Sequence, residues 1–278
     1  MLNFLRFVMS GERAIRGDLP YDRDRVATAF LEKGVKVVSC HVDVDAYRAF
    51  LAAGHYEDGA YSGCFYEKSL EHFLSFQFST LDSRSLVVDV ANAGSCFPQI
   101  IHDSFGCRVI SNDLNFPSGR KDLTSWHTRI GCNAASLPIE SGTVDLITVH
   151  CALEMFEGND DINLVREASR VLKYGGKLVI IPLYMNETYH VLRDPENPRR
   201  KQPTIDDGAQ LVYRRDFYRV AFARFYSVGA FSARLLEICG EQLDFTLFRI
   251  LNTAEIGSDI YLHWVGVFEK KVEVRHGE

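Results

Sequence analysis

The chain is poor in the residues that announce a stapled, metal-bound or membrane-spanning protein. Its seven cysteines include no CxxC pair. An odd count without close spacing predicts reduced thiols and a cytoplasmic setting rather than a disulfide framework. No His/Cys cluster has metal-ligand spacing, so no metal is expected. No stretch approaches the roughly 20 apolar residues that cross a bilayer, so no stable membrane insertion is expected. The opening MLNFLRFVMSGER is broken by Arg6 and followed by Gly11, Glu12 and Arg13. It lacks the uninterrupted apolar core and cleavage site of a secretory signal and reads as a short amphipathic helix. A basic excess is also missing: the net charge is −6, which argues against a nucleic-acid partner. Internal repeats and low-complexity segments are absent.

What is present is a regular alternation of apolar strands and amphipathic helices in a chain of 278 residues, 46% of them hydrophobic. The most informative stretch is SLVVDVANAGSCFP, residues 85–98. It predicts a buried strand over 86–90 that ends in an acid, a run of small residues, and a helix over 97–105 with Ser95 as N-cap. Small residues beyond the carboxyl end of such a strand let a ligand approach the backbone. A second strand is predicted over 107–111, followed by Asn112 and Asp113. A third covers 144–151. A helix over 161–172 is stopped by Tyr174, Gly175 and Gly176 before a strand over 177–182. Repeated strand–helix units predict an α/β, Rossmann-like, mostly parallel sheet with helices on both faces. Two late strands, 245–251 and 260–269, predict a C-terminal antiparallel hairpin.

Residues 1–80 read as an N-terminal extension and cap ahead of a main domain over 81–278. A strand is expected over 35–39 and a helix over 43–54. Residues 56–78 open as a loop rich in Tyr and Gly and close as a helix with Leu70, Phe73 and Leu74 on its apolar face. Residues 186–216 hold three prolines and dense charge, and are expected to form a lid or insertion near the site.

Four segments in this order, VVDVANAGSCF, VISNDL, GCNAASLPIESGTVDLITVHCALEMF and EASRVLKYGGKLVIIP, resemble the class I S-adenosylmethionine-dependent methyltransferases. The last two resemble the subgroup with small-molecule acceptors. The segment holding Gly63, Phe65, Glu67, Lys68, Leu70, Glu71, His72, Phe73 and Ser75 resembles methyltransferase-like proteins found with glycan-assembly enzymes. The resemblance covers about residues 85–182 and extends toward 270. It implies that S-adenosyl-L-methionine is the cofactor, that Asp89 and Ala91, Ala93, Gly94 and Ser95 surround its amino-acid portion, that Asp113 accepts from its ribose hydroxyls, and that Asn133 and Ala134 meet its adenine. Asp113 follows Asp89 by 24 residues, close to the roughly 20 of a ribose-binding acid after the first strand. The sequence departs from the family where Ala91, Ala93 and Ser95 stand in for glycines and Asn133 for an acid. An amide oxygen can still accept from an amine.

The chemistry needs an acceptor held in line with the methyl group and a base for its proton. His150, at the end of an apolar strand, and Glu154, at helical spacing from it, are the candidate bases. His150 also reads as a packed core histidine, and Glu154 as a helix-start acid. Tyr61, Tyr66, His72 and His190 are candidate acceptor contacts, with packing or a solvated helix face as the plainer alternative. Arg199, Arg200 and Lys201, with Arg214, Arg215 and Arg219, suggest phosphate recognition or a solvated loop. Asp160 and Asp161 read as helix caps rather than metal ligands. Three functions follow. The first is methyl transfer, O-methylation of a sugar, glycan or other small hydroxylated acceptor. The second is a non-catalytic methyltransferase-like module in glycan assembly, and the third a nicotinamide-dependent oxidoreductase. An oligomer is compatible with all three.

Overall fold

A computed structural model describes residues 15–16, 19–198, 204–215, 219–239, 241–257 and 260–272. The expected N-terminal helix and the run Arg199, Arg200 and Lys201 lie outside the described residues.

The body of the protein is a nine-stranded sheet. Its parallel centre is β3 (Leu86–Val90), β4 (Arg108–Asn112), β6 (His127–Gly131), β7 (Val144–His150) and the first-paired half of β8 (Leu172–Ile181). In space they run β6-β4-β3-β7-β8. The sequence reading of β3, β4 and β7 holds within a residue at each end, whereas β8 begins five residues before the expected 177 and β6 was not read as a strand. Beyond β8, β13 (Trp264–Lys270) and β12 (Leu243–Ile250) form the expected antiparallel pair. The outer edges are β2 (Lys36–Cys40), parallel to β12, and β5 (Gly119–Asp122), antiparallel to β6. From β3 the chain moves outward through α4 (Phe97–Phe105), β4 and β6, then returns to β7 on the other side of β3. The carboxyl ends of β3 and β7 therefore flank the point where strand order reverses, where open α/β sheets bind ligands.

Alternation along each strand divides the core between two faces. Val88, Val90, Ile147 and Val149 pack with α1 (Arg23–Glu32), α5 (Asp160–Val171) and the helix that starts as α6 (Val228–Phe231) and continues through a π-helical turn at Ser232–Leu236. Val87 and Leu146 face the other way, onto α2 (Val44–Ala52), α3 (Phe65–Ser75) and α4. β2 and α1, from the first 80 residues, are thus built into the main sheet and its core.

Two local features differ from the sequence reading. Gly175 and Gly176 do not stop α5; it ends at Val171 and β8 begins at once at Leu172. A Cβ on Gly176 would sit 2.9 Å from the Val144 carbonyl oxygen, and the β7–β8 register shifts at this place. The glycines let a strand begin beside a bulge rather than end a helix. β5 was invisible in the sequence because its four residues, GRKD, are all exposed and carry no alternation.

Residues 186–226 supply β9 (His190–Arg193), β10 (Gln210–Tyr213) and β11 (Ala223–Phe225) of a second sheet, ordered β1-β10-β9-β11 with Ile15–Arg16 as β1. Among its described residues, Asp206 enters a buried ion network. The fully buried Arg224 reaches Asp206 through Nε at 2.7 Å and Asp161 at 3.1 Å, and donates to the carbonyls of Phe156 and Gly158. Arg234 and the Tyr226 hydroxyl also donate to Asp161. Asp161 is therefore the anchor of a buried ion network that ties the second sheet to α5, not the helix cap the sequence suggests, since its oxygens are taken by Arg224, Arg234 and Tyr226.

Candidate active site

The expected glycine-type loop keeps its shape without the glycines. Ala91, Ala93 and Gly94 all have positive φ, at 54°, 50° and 83°. An alanine there resists the left-handed conformation, so the surroundings must enforce it. They do: the Ala93 N–H donates to Asp113 Oδ2 at 2.8 Å, the Gly94 N–H donates to Asn92 Oδ1 at 3.0 Å, and Asn92 Nδ2 in turn donates to Asp89 at 2.5 Å. Ser95 accepts from the Phe97 N–H at the mouth of α4 and exchanges a 2.9 Å bond with the Tyr61 hydroxyl.

Asp113 lies at the end of β4, as expected of a ribose-binding acid. Each of its oxygens takes one backbone N–H, from Ala93 and Asn115. A carboxylate has about four acceptor positions, so two remain for a diol. The residues present therefore fit an S-adenosyl group: an enforced left-handed loop, and an acid with spare acceptor capacity beside it. Asn133 is more committed. Its oxygen accepts from the Ala135 N–H, and its amide donates to Asp160, while Ala134 is buried in the core beside it.

His150 is pinned at both nitrogens. Nδ1 faces Asp89 Oδ1 at 3.1 Å and Nε2 faces Ser75 Oγ at 2.8 Å. Its ring packs edge-on against Phe97 and His72, at centroid distances of 4.5 and 5.1 Å. Asp89 also accepts from Thr148. An imidazole so held orients the ends of β3 and β7 and ties α3 to them.

α3 brings an unexpected polar face. Lys68, Glu71, His72 and Ser75 recur at helical spacing. The solvated face expected for His72 and Glu71 is not found: Glu71, His72 and Ser75 are buried at 0–1% exposure. Here the apolar stripe (Leu70, Phe73, Leu74) and the polar stripe are both covered, because the helix lies over the carboxyl ends of β3 and β7. Burial, with His150 and Lys68 nearby, holds the His72 imidazole well below its ordinary range. Its Nδ1 meets the Tyr56 hydroxyl. Tyr56 and Tyr61 close this side as an aromatic lid on His72.

Beyond His150, Cys151 adopts a left-handed conformation, φ 46°, which turns the chain away from the strand. Its Sγ contacts Glu154 Oε1 at 3.6 Å and the Tyr184 hydroxyl at 3.2 Å. Glu154 is 7% exposed. Burial raises its carboxyl to about 7, and its Oε2 is buried with no hydrogen-bond partner. Lys68 Nζ lies 3.0–3.1 Å from both oxygens of Glu71. Burial works against that ammonium, but Glu71 outweighs it and holds Lys68 above its usual range.

Two expected acceptor contacts fall elsewhere. Tyr66 is 53% exposed, and its backbone carbonyl accepts from Tyr47. It follows Phe65 at the start of α3, where the helix turns this position outward. His190 is buried in β9, stacked on Phe225 and bonded to the Thr188 carbonyl. It approaches the site only through Phe225 and Tyr184. Ser75, Lys68, Glu67 and Tyr184 were not assigned roles from sequence. The 68/71/72/75 spacing was the available signal, and it was masked by the assumption that a polar face is wet.

Residues 88–180 match the family model described as a methyltransferase domain. This segment contains β3 to β8, the loop 91–95, Asp113, His150 and Glu154. Over these residues the chain is similar to a methyltransferase domain. Among solved structures, the chain is similar to the YcgJ protein of Bacillus subtilis at 19% identity, covering 42% of this chain and 51% of that one with a TM-score of 0.36. It is similar to geranyl diphosphate C-methyltransferase of Streptomyces coelicolor A3(2), solved with Mg2+, geranyl diphosphate and S-adenosyl-L-homocysteine, at 14% identity, 74% and 79% coverage and a TM-score of 0.43. A third likeness is the complex of the Haloferax volcanii Trm112 methyltransferase activator with a methyltransferase, at 13% identity, 81% and 98% coverage and a TM-score of 0.48. The chain spans about half the length of the first of these structures. No curated protein matches the chain. Among the described residues, no helix is long and apolar enough to cross a membrane.

Proposed function

We propose that this chain transfers a methyl group from S-adenosylmethionine to a small acceptor seated between α3 and the carboxyl ends of β3 and β7, with Glu154 as the proton acceptor. The observation that carries this reading is Glu154 itself. It is a buried carboxyl at the strand-order reversal, with one free oxygen and a proton affinity near neutral, which is where a general base works best. His150, the other candidate, has both nitrogens engaged and acts as a positioning residue. Asp113 and the loop from Ala91 to Ser95 would hold the cofactor, which supplies an electrophilic methyl on a sulfonium with a neutral thioether as leaving group. Tyr56, Tyr61 and His72 would exclude water from one side. The second sheet would close the other, through the stack from His190 to Phe225 and Tyr184.

The hydroxyl acceptors implied by the resemblance, a sugar or glycan among them, belong in the assay panel beside other nucleophiles. The free cysteines Cys40, Cys64, Cys96, Cys107, Cys132 and Cys151 support a cytoplasmic location. The test is a calorimetric titration with S-adenosylhomocysteine, NAD serving as control, followed by mass-spectrometric detection of methylated products. Binding of S-adenosylhomocysteine and a turnover that Glu154→Gln removes are the expected results. Cofactor binding without turnover on the panel would favour the non-catalytic module, and binding of NAD instead would favour the oxidoreductase.

A further inference from the structure

We propose that the acceptor presents a positively charged nitrogen, an alkylammonium group, and that Glu154 and Glu67 receive it. The proposal rests on the methyl-transfer reading and names its substrate class.

Two carboxyls from separate elements, Glu67 on α3 and Glu154 after β7, each leave one oxygen buried without a hydrogen-bond partner, Oε1 and Oε2 respectively. Buried acceptors are normally satisfied, so two orphans in one place ask for a donor. Contacts link the two: Tyr261, whose backbone bonds Glu67, stacks on Tyr184, and the Tyr184 hydroxyl and Glu154 Oε1 both meet Cys151 Sγ. Lys68 is the cation whose field reaches both, but its ammonium is committed to the two oxygens of Glu71. Burial raises the Glu71 carboxyl to about 8, and Glu67 Oε1 and Glu154 Oε2 keep no hydrogen-bond partner of their own.

A sugar hydroxyl offers one donor and no charge, and would leave two desolvated carboxyls unmatched. An ammonium offers up to three donors and a full charge. Tyr184 stacks on Tyr261 at 5.3 Å, and the Tyr261 backbone N–H holds Glu67; aromatic faces attract cations. The titratable groups facing this space are Glu67, Lys68 and Glu71 from α3, Cys151 and Glu154 after β7, and Tyr184 after β8. Burial raises Cys151 and Tyr184 above their ordinary values, so both stay neutral around pH 8. Burial also raises Glu67. An entering cation would favour the ionised forms of Glu67 and Glu154 and so release protons.

The chemistry balances. The substrate ammonium gives one proton to Glu154 Oε2. The freed lone pair on nitrogen forms the N–C bond to the methyl group as the C–S bond breaks, and the electron pair of that bond stays on sulfur.

The experiment uses the full chain saturated with S-adenosylhomocysteine at pH 8, titrated with matched amines and alcohols: ethylamine with ethanol, and phenethylamine with 2-phenylethanol. At least one amine is expected to bind about tenfold or more tighter than its alcohol. Glu67→Gln and Glu154→Gln, checked for fold by circular dichroism, are each expected to erase that preference while S-adenosylhomocysteine binds as before. Equal affinity for amine and alcohol, no binding of either amine, or a preference that survives both variants overturns the proposal. So does methylation of sugar hydroxyls with amines inert, although methyl transfer itself then stands. If S-adenosylhomocysteine does not bind, the methyl-transfer reading fails by itself, and the same amine and alcohol titrations without it still decide the cation site.

Discussion

The buried carboxyl of Glu154 should make this protein more stable when it is removed and inactive for the same reason. Burial raises the Glu154 pKa from 4.5 to about 7, and the side chain is nearly inaccessible at 7% exposure. Between those values the folded state binds more protons than the unfolded chain, so stability is full below about pH 4.5 and falls as pH rises through about 7. A rise from 4.5 to about 7 corresponds to about 3 kcal/mol. Glu154→Gln keeps the shape, keeps the contact with Cys151 and never ionises. At pH 5 the two proteins should have similar unfolding free energies. At pH 8 the variant should be more stable by up to about 3 kcal/mol, seen as a higher urea midpoint with an unchanged slope. Turnover should fall about 10²–10⁴-fold, the usual worth of a general base, and wild-type turnover should rise with pH through about 7. A variant that is equally stable or less stable at pH 8 would mean that the carboxylate is already compensated, and the case for Glu154 as an unmatched base would collapse.

Three further outcomes are expected. Asp113→Ala should weaken S-adenosylhomocysteine binding at least about tenfold, roughly 1.4 kcal/mol, measured by calorimetry; unchanged affinity in a folded variant removes Asp113 from the cofactor site. Ala93→Gly should stabilise the protein by up to about 1 kcal/mol in urea unfolding, because relief of a left-handed alanine outweighs the added freedom of the unfolded chain; a loss of stability would show that φ 50° carries no strain. Arg224→Met should destabilise by up to about 3–5 kcal/mol, since buried Asp206 loses its 2.7 Å partner while Asp161 keeps Arg234 and Tyr226, lowering the melting temperature by several degrees; a neutral result would mean that the ion network does not hold the second sheet.

The parallel centre of the sheet, its helices and the closing hairpin were legible because their cause is local. Runs such as LVVDV and VDLITVH are apolar on both faces and the helices between them are amphipathic, so burial leaves one arrangement for each. The loop at 91–95 and Asp113 were legible for the same reason, as chemistry at the ends of strands. The rest depended on neighbours distant in sequence. The charged segment 186–216 read as a lid or insertion until Asp206 met Arg224, which also meets Asp161. His150 read equally as a base or as a packed core histidine until Asp89 and Ser75, 61 and 75 residues away, occupied its two nitrogens. The polar stripe of α3 looked wet until the helix settled over the carboxyl ends of β3 and β7. Sequence by itself determined most of the central strands and helices, because periodicity and side-chain size act within a few residues. Only the tertiary structure decided which charges are desolvated and which are matched, because those depend on groups the chain brings together from far apart.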